Sequence, residues 1–183
     1  RRAAGAATRS LAGTKRVALA LPADSATRAA AVLEGAGLGA YAFTDHLHAK
    51  LAKAKPPVAS ITLLTPEARQ LRDVLERAQT VVSGVHFARD LINTSPLHLP
   101  PAELAARAKA HVAGSRVKVT VMDEKALAAG GYGGIIGVGQ GSTRPPRLVR
   151  LEYRPAGAKR HVVLVGKGIT FDTGGISLKP PAG

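Results

Sequence analysis

The chain has 183 residues, 45% of them apolar, with no Cys, no Trp, three Tyr and three Phe. That composition excludes a disordered chain, a disulfide framework, a thiolate metal site and a Cys nucleophile, and its core must come from Ala, Val, Leu and Ile. The net charge of +14 invites a nucleic-acid reading, yet residues 1–90 carry 13 basic and 7 acidic side chains and residues 91–183 carry 13 and 5, so the charge is not a basic tail.

The Ala- and Arg-rich first dozen residues predict a helix ending near Gly13. Lys15 to Leu21 (KRVALAL) reads as a strand closed by Pro22. Asp24 or Ser25 can cap a helix over 26–35, with Gly35 and Gly37 ending it. A short helix is expected over 38–50, then a basic connector from Ala52 to Pro57 and a buried strand from Val58 to Leu64. Thr65-Pro66-Glu67 is a helix start, and the apolar period from Leu71 to Ala88 carries that helix to about Asn93.

Three prolines break Asn93 to Pro101. Glu103 to Val112 predicts a helix, Val117 to Val121 a strand, and Asp123 the cap of a short helix through Ala129. The seven glycines of Gly130 to Ser142 predict a loop, followed by strands at Leu148–Tyr153 and Val162–Val165. Helix alternating with apolar strand is an α/β pattern. No apolar run approaches the ~18 residues of a membrane-spanning helix. The opening Arg-Arg-Ala-Ala-Gly-Ala lacks the apolar stretch of a signal peptide, so a cytoplasmic location is expected.

Two tempting motifs fail. In Gly137-Val-Gly139-Gln-Gly141-Ser142 the dinucleotide fingerprint is missed at its last glycine, and no acidic residue follows at the required distance. Gly166-Lys167 resembles the end of a phosphate loop, but Gly168 stands where Ser or Thr belongs. None of His46, His48, His86, His98, His111 and His161 belongs to an H-E-x-x-H pair, so each reads as a surface or packing residue.

The last stretch carries chemistry. A buried strand delivers Lys167 and Asp172 into the turn Gly166-Lys167-Gly168-Ile-Thr170-Phe171-Asp172-Thr173-Gly174-Gly175, with Lys179 soon after. Strand ends followed by glycine loops are where α/β folds place their sites. One Lys can bind a metal through a neutral amine, because a dication opposes protonation. The other can stay charged and stabilise an oxyanion.

Val165 to Pro180 resembles the signature of the leucyl aminopeptidase family, the two-metal cytosol peptidases. Ala88-Arg89-Asp90-Leu91-Ile92-Asn93-Thr94-Ser95-Pro96 through Pro100-Pro101-Ala102-Glu103-Leu104 resembles the opening of that family's catalytic domain, and the glycine-rich 130–141 and Leu148–Tyr153 follow its order. The resemblance implies that Lys167 binds one metal, that Asp172 bridges or binds the pair, and that Lys179 polarises the scissile carbonyl. It implies two divalent ions (Mn²⁺ or Zn²⁺), peptide substrates and a homohexamer.

On this reading residues 1–64 are part of an α/β N-terminal domain, 65–93 a linking helix, and 94–183 the start of an α/β metallopeptidase catalytic domain. The family's further metal-binding carboxylates follow its catalytic Lys and are not in these 183 residues, so a fragment inactive by itself is expected. The rivals are a basic nucleic-acid-binding module and a non-catalytic assembly module. A scarcity of aromatics argues against single-strand binding, and no helix-turn-helix or zinc pattern is present.

Overall fold

A computed structural model describes residues 1–45, 47–50, 55–66 and 68–171. The fold is α/β, and the chain divides into two compact units, Arg1–Asn93 and Thr94 onward. In the first unit, α1 (Arg2–Ser10) leads to β1 (Arg16–Leu19), α2 (Ala26–Gly39), β2 (Ser60–Leu63), a 3₁₀ turn (Ala68–Gln70) and α3 (Arg72–Asn93). β1 and β2 pair in parallel, Arg16 opposite Ser60 and Leu19 opposite Leu63. Parallel neighbours need a crossover, and the segment holding α2 supplies it. Ala4, Leu19, Val32 and Ala36 form one buried cluster, with Val17, Ile61 and Leu63 against it. Ala23, Ala29 and Leu71 form a second.

Ser25 caps α2, its hydroxyl accepting from the Arg28 amide at 3.4 Å, while Asp24 pairs with the Arg28 guanidinium at 2.6 Å. The helix does not stop at Gly35 or Gly37; it runs to Gly39. These glycines serve close packing rather than termination. A Cβ on Gly39 would lie 2.3 Å from the Gly5 carbonyl oxygen and 2.4 Å from Thr8 Oγ1, and one on Gly37 would lie 2.6 Å from a Val82 methyl. α1 and α3 therefore both approach α2 through missing side chains. Thr8, fully buried, donates to the Ala36 carbonyl at 2.8 Å and ties α1 to α2. Replacing it by Val keeps the shape and removes that bond, so the unfolding free energy in urea should fall by about 1 kcal/mol with an unchanged m-value.

Residues 40–45, 47 and 48 are irregular, where a helix over 38–50 was expected. Tyr41 explains part of this: its hydroxyl bonds Asp90 Oδ1 at 2.8 Å and accepts from Asn93 Nδ2 at 3.1 Å, drawing the chain onto α3. α3 also starts late, at Arg72, after the 3₁₀ turn Ala68–Gln70, and Thr65 donates to the Ala23 carbonyl at 2.8 Å. Glu67 lies outside the described residues.

α3 in turn closes α2. The last carbonyls of a helix have no partner within it. The Gly37 carbonyl lies 3.1 Å from His86 Nε2, and the Leu38 carbonyl accepts from Arg89 Nη1 at 2.8 Å. The Arg89 guanidinium also stands 5.2 Å over the Tyr41 ring. Burial holds the Tyr41 hydroxyl above its ordinary value, the Asn93 bond opposes this and Asp90 adds to it. The folded state thus keeps a proton that the unfolded chain releases near pH 10. The stabilisation from Tyr41 is complete below that pH and is lost as pH rises through the folded value. A Tyr41→Phe variant should show a shallower decline in thermal midpoint between about pH 9 and 11.

The second unit holds α4 (Pro101–His111), β3 (Lys118–Met122), α5 (Glu124–Ala129), α6 (Gly133–Gly139) and β4 (Leu148–Glu152). β3 and β4 are antiparallel, Lys118 opposite Glu152 and Met122 opposite Leu148. Asp123 caps α5 as expected, accepting from the Ala126 amide at 2.8 Å. The glycine stretch contains a helix, α6, where a loop was expected. Gly131, at φ 73°, reverses the chain after α5, and Gly139 packs under Pro146, whose Cδ would be 2.7 Å from any Cβ there. Arg147 joins the β4 entrance to α5 through Glu124 at 2.6 Å. Leu99, Ala105 and Leu127 are buried in this unit.

Candidate functional site

Of the three residues singled out by sequence, Lys167 is described, and Asp172 and Lys179 lie outside the described residues. Lys167 belongs to a segment, 161–169, that has no regular structure. The strand expected at Val162–Val165 is therefore not formed. Leu164 and Val165 are each 93% exposed, and among the described residues nothing pairs with them. A strand lacks its hydrogen bonds without a neighbour, so apolar β-branched composition alone does not make one. α4 gives the segment a footing: Leu104 Cδ2 lies 3.4 Å from the position a Cβ would take on Gly168.

α4 is itself anchored. Arg107 donates to Glu103 at 2.8 Å and to Thr94 Oγ1 at 3.2 Å, tying the helix to the proline-rich stretch before it. Arg144 donates to the Leu97 carbonyl at 2.7 Å. At the far end of β4, the hydrogen-bonded Arg154 holds the Glu152 carboxyl below its usual range against partial desolvation, and Arg150 adds to the effect.

No group of three His, Asp or Glu among the described residues could hold a metal ion. His86 is occupied with the α2 terminus, and Ser95 Oγ lies 2.9 Å from His98 Nδ1. Lys167 offers one amine, and two dications need several carboxylates. The described residues therefore do not by themselves fit a metal pair. No helix among them is long and apolar enough to cross a membrane.

Residues 86–183 match the cytosol aminopeptidase family, catalytic domain. A probable cytosol aminopeptidase of Micrococcus luteus is 57% identical over 187 residues, which cover all of this chain and 36% of that protein. One from Leifsonia xyli subsp. xyli is 52% identical, covering 100% of this chain and 37% of the relative. The chain thus spans little more than a third of the curated relatives it matches. Among solved structures, a mutant of tomato leucine aminopeptidase superposes with a TM-score of 0.71 at 28% identity, over 94% of this chain and 36% of that one. The bottromycin maturation enzyme BotP in complex with Mn superposes with a TM-score of 0.66 at 34% identity, over 85% and 33%.

Proposed function

The chain belongs to the cytosol aminopeptidase family, and on that premise we propose that it is part of a metal-dependent aminopeptidase that removes N-terminal residues, leucine among them, from peptides. The observation that carries this is the family match over 86–183, which includes Lys167, Asp172 and Lys179. Lys167 and Asp172 are metal donors, and the remaining carboxylates come from the rest of the family's catalytic domain. Two divalent ions, Mn²⁺ or Zn²⁺, supply Lewis acidity and an activated water when bound. The Mn complex of BotP supports manganese.

Lys179 is the catalytic residue of this chain. The role proposed for its ammonium group is to offset the negative charge that develops on the scissile carbonyl oxygen in the transition state. Residues 1–64 are part of the N-terminal domain, 65–93 the linking helix and 94–183 the start of the catalytic domain. The complete enzyme is cytoplasmic and homohexameric.

The test compares two proteins on a leucyl p-nitroanilide with added Mn²⁺. One is the 183-residue chain alone, which should show no turnover. The other is the Micrococcus luteus relative with its aligned segment exchanged for this chain, which should be active. Turnover by the chain alone would show that no carboxylate from outside these residues is needed and overturn the ligand argument. An inactive but folded, Mn²⁺-binding hybrid would overturn the assignment of function.

A further inference from the structure

The run Ala88-Arg89-Asp90-Leu91-Ile92-Asn93 lies at the start of the match to the family's catalytic domain, which begins at residue 86. Its polar side chains are nevertheless spent inside the first unit, which extends to Asn93. His86, Arg89, Asp90 and Asn93 recur at steps of three or four residues, so they share one side of the last two turns of α3. That side meets the end of α2 and Tyr41, just beyond it.

The contacts interlock. The Tyr41 hydroxyl donates to Asp90 Oδ1 at 2.8 Å and accepts from Asn93 Nδ2 at 3.1 Å. Arg89 donates to the Leu38 carbonyl at 2.8 Å, and its guanidinium stands over the Tyr41 ring at 5.2 Å. His86 Nε2 lies 3.1 Å from the Gly37 carbonyl oxygen, and the His86 and Tyr41 ring centroids are 5.0 Å apart. A carbonyl can only accept, so Nε2 carries the proton. Arg89 and His86 thus touch both Tyr41 and the end of α2. Lifting the end of α3 takes donors from the last carbonyls of α2 and from the Tyr41 oxygen together. Polar networks with shared members gain and lose them jointly. Little apolar burial holds this region otherwise: of the residues of α3 only Ala78 is buried, and the chain around Tyr41 is irregular.

We infer that Tyr41 and the last two turns of α3 form a latch that closes the end of α2 and opens as one cooperative unit, before the first unit unfolds as a whole. Opening frees the end of the helix from which the chain continues to Thr94. The latch does not rest on the peptidase reading.

Native-state hydrogen exchange, read by NMR on the 183-residue chain at low urea, tests it. The reporters are the Ala40 amide, which donates to the Ala36 carbonyl at 3.1 Å, and the amides of residues 89–92 in α3. Both sets should show one opening free energy and one urea dependence, with slower exchange at Ala78 to Val82. Asn93→Ala removes one hydrogen bond at the far end of the latch. It should speed exchange at Ala40 and at 89–92 by the same factor, roughly fivefold. Tyr41→Phe removes two bonds and keeps the ring, and should speed both sets by a factor on the order of 25. Neither variant should change Ala78 to Val82. Gln79→Ala, at an exposed position of α3 outside the latch, should leave Ala40 as in the parent. Faster exchange at 89–92 with none at Ala40 overturns the inference, because the two helix ends then open separately. No change at either set overturns it as well. So does an equal acceleration at Ala78 to Val82, which would make the contacts part of global unfolding alone.

Discussion

Replacing Lys179 by Ala in the hybrid enzyme should lower kcat by about 10²–10³ with little change in KM. The reason is where the charge acts. A ground-state carbonyl carries only a partial charge, whereas the tetrahedral intermediate carries a full one, so an ammonium group beside that oxygen stabilises the transition state far more than the bound substrate. Initial rates on a leucyl p-nitroanilide with saturating Mn²⁺ give the comparison. Lys179→Arg keeps the charge but displaces it, and should recover part of the loss. Asp172→Ala should act differently, raising the Mn²⁺ concentration needed for half-maximal rate, because a ligand is lost rather than an oxyanion partner. A Lys179→Ala rate within about threefold of the parent would remove Lys179 from the mechanism.

Gly39→Ala should destabilise the first unit by about 1–3 kcal/mol or more, although Ala is the better helix former by up to about 1 kcal/mol. The new methyl carbon would stand 2.3 Å from the Gly5 carbonyl oxygen and 2.7 Å from Gly5 Cα, both of them backbone atoms of α1. Backbone cannot rotate away as a flexible side chain can, so α1 must shift from α2 and give up the bond from Thr8 to the Ala36 carbonyl. Gly84→Ala is the matched control. It lies inside α3 with nothing among the described residues within 4 Å of its would-be Cβ, so helix propensity alone acts there. That variant should be more stable than the parent by up to about 1 kcal/mol. The two substitutions thus shift the thermal midpoint in opposite directions, by about 4–8 °C for each kcal/mol in a unit of this size. A Gly39→Ala protein as stable as the parent would mean that α1 and α2 are not packed through their glycines.

The same glycines mark the boundary of what local pattern can reveal. In the sequence, Gly35 and Gly37 look like helix stops, because a glycine is entropically costly inside a helix. Their use becomes visible only when α1 and α3 are placed beside α2. The Gly130–Ser142 stretch misleads in the same way, since Gly139 exists to fit Pro146. Val162–Val165 shows the converse, a good strand pattern without a partner among the described residues.

The sequence by itself was sufficient for the α/β alternation, the Asp123 cap, the breaks at proline and the family, because each depends on residues close along the chain. Lys167, Asp172 and Lys179 were singled out as candidates in the same way, from one continuous run. Tertiary structure decided which glycines end a helix and which admit a neighbour, and which apolar run becomes a strand. Those outcomes depend on distances between residues remote in sequence, which no local pattern encodes.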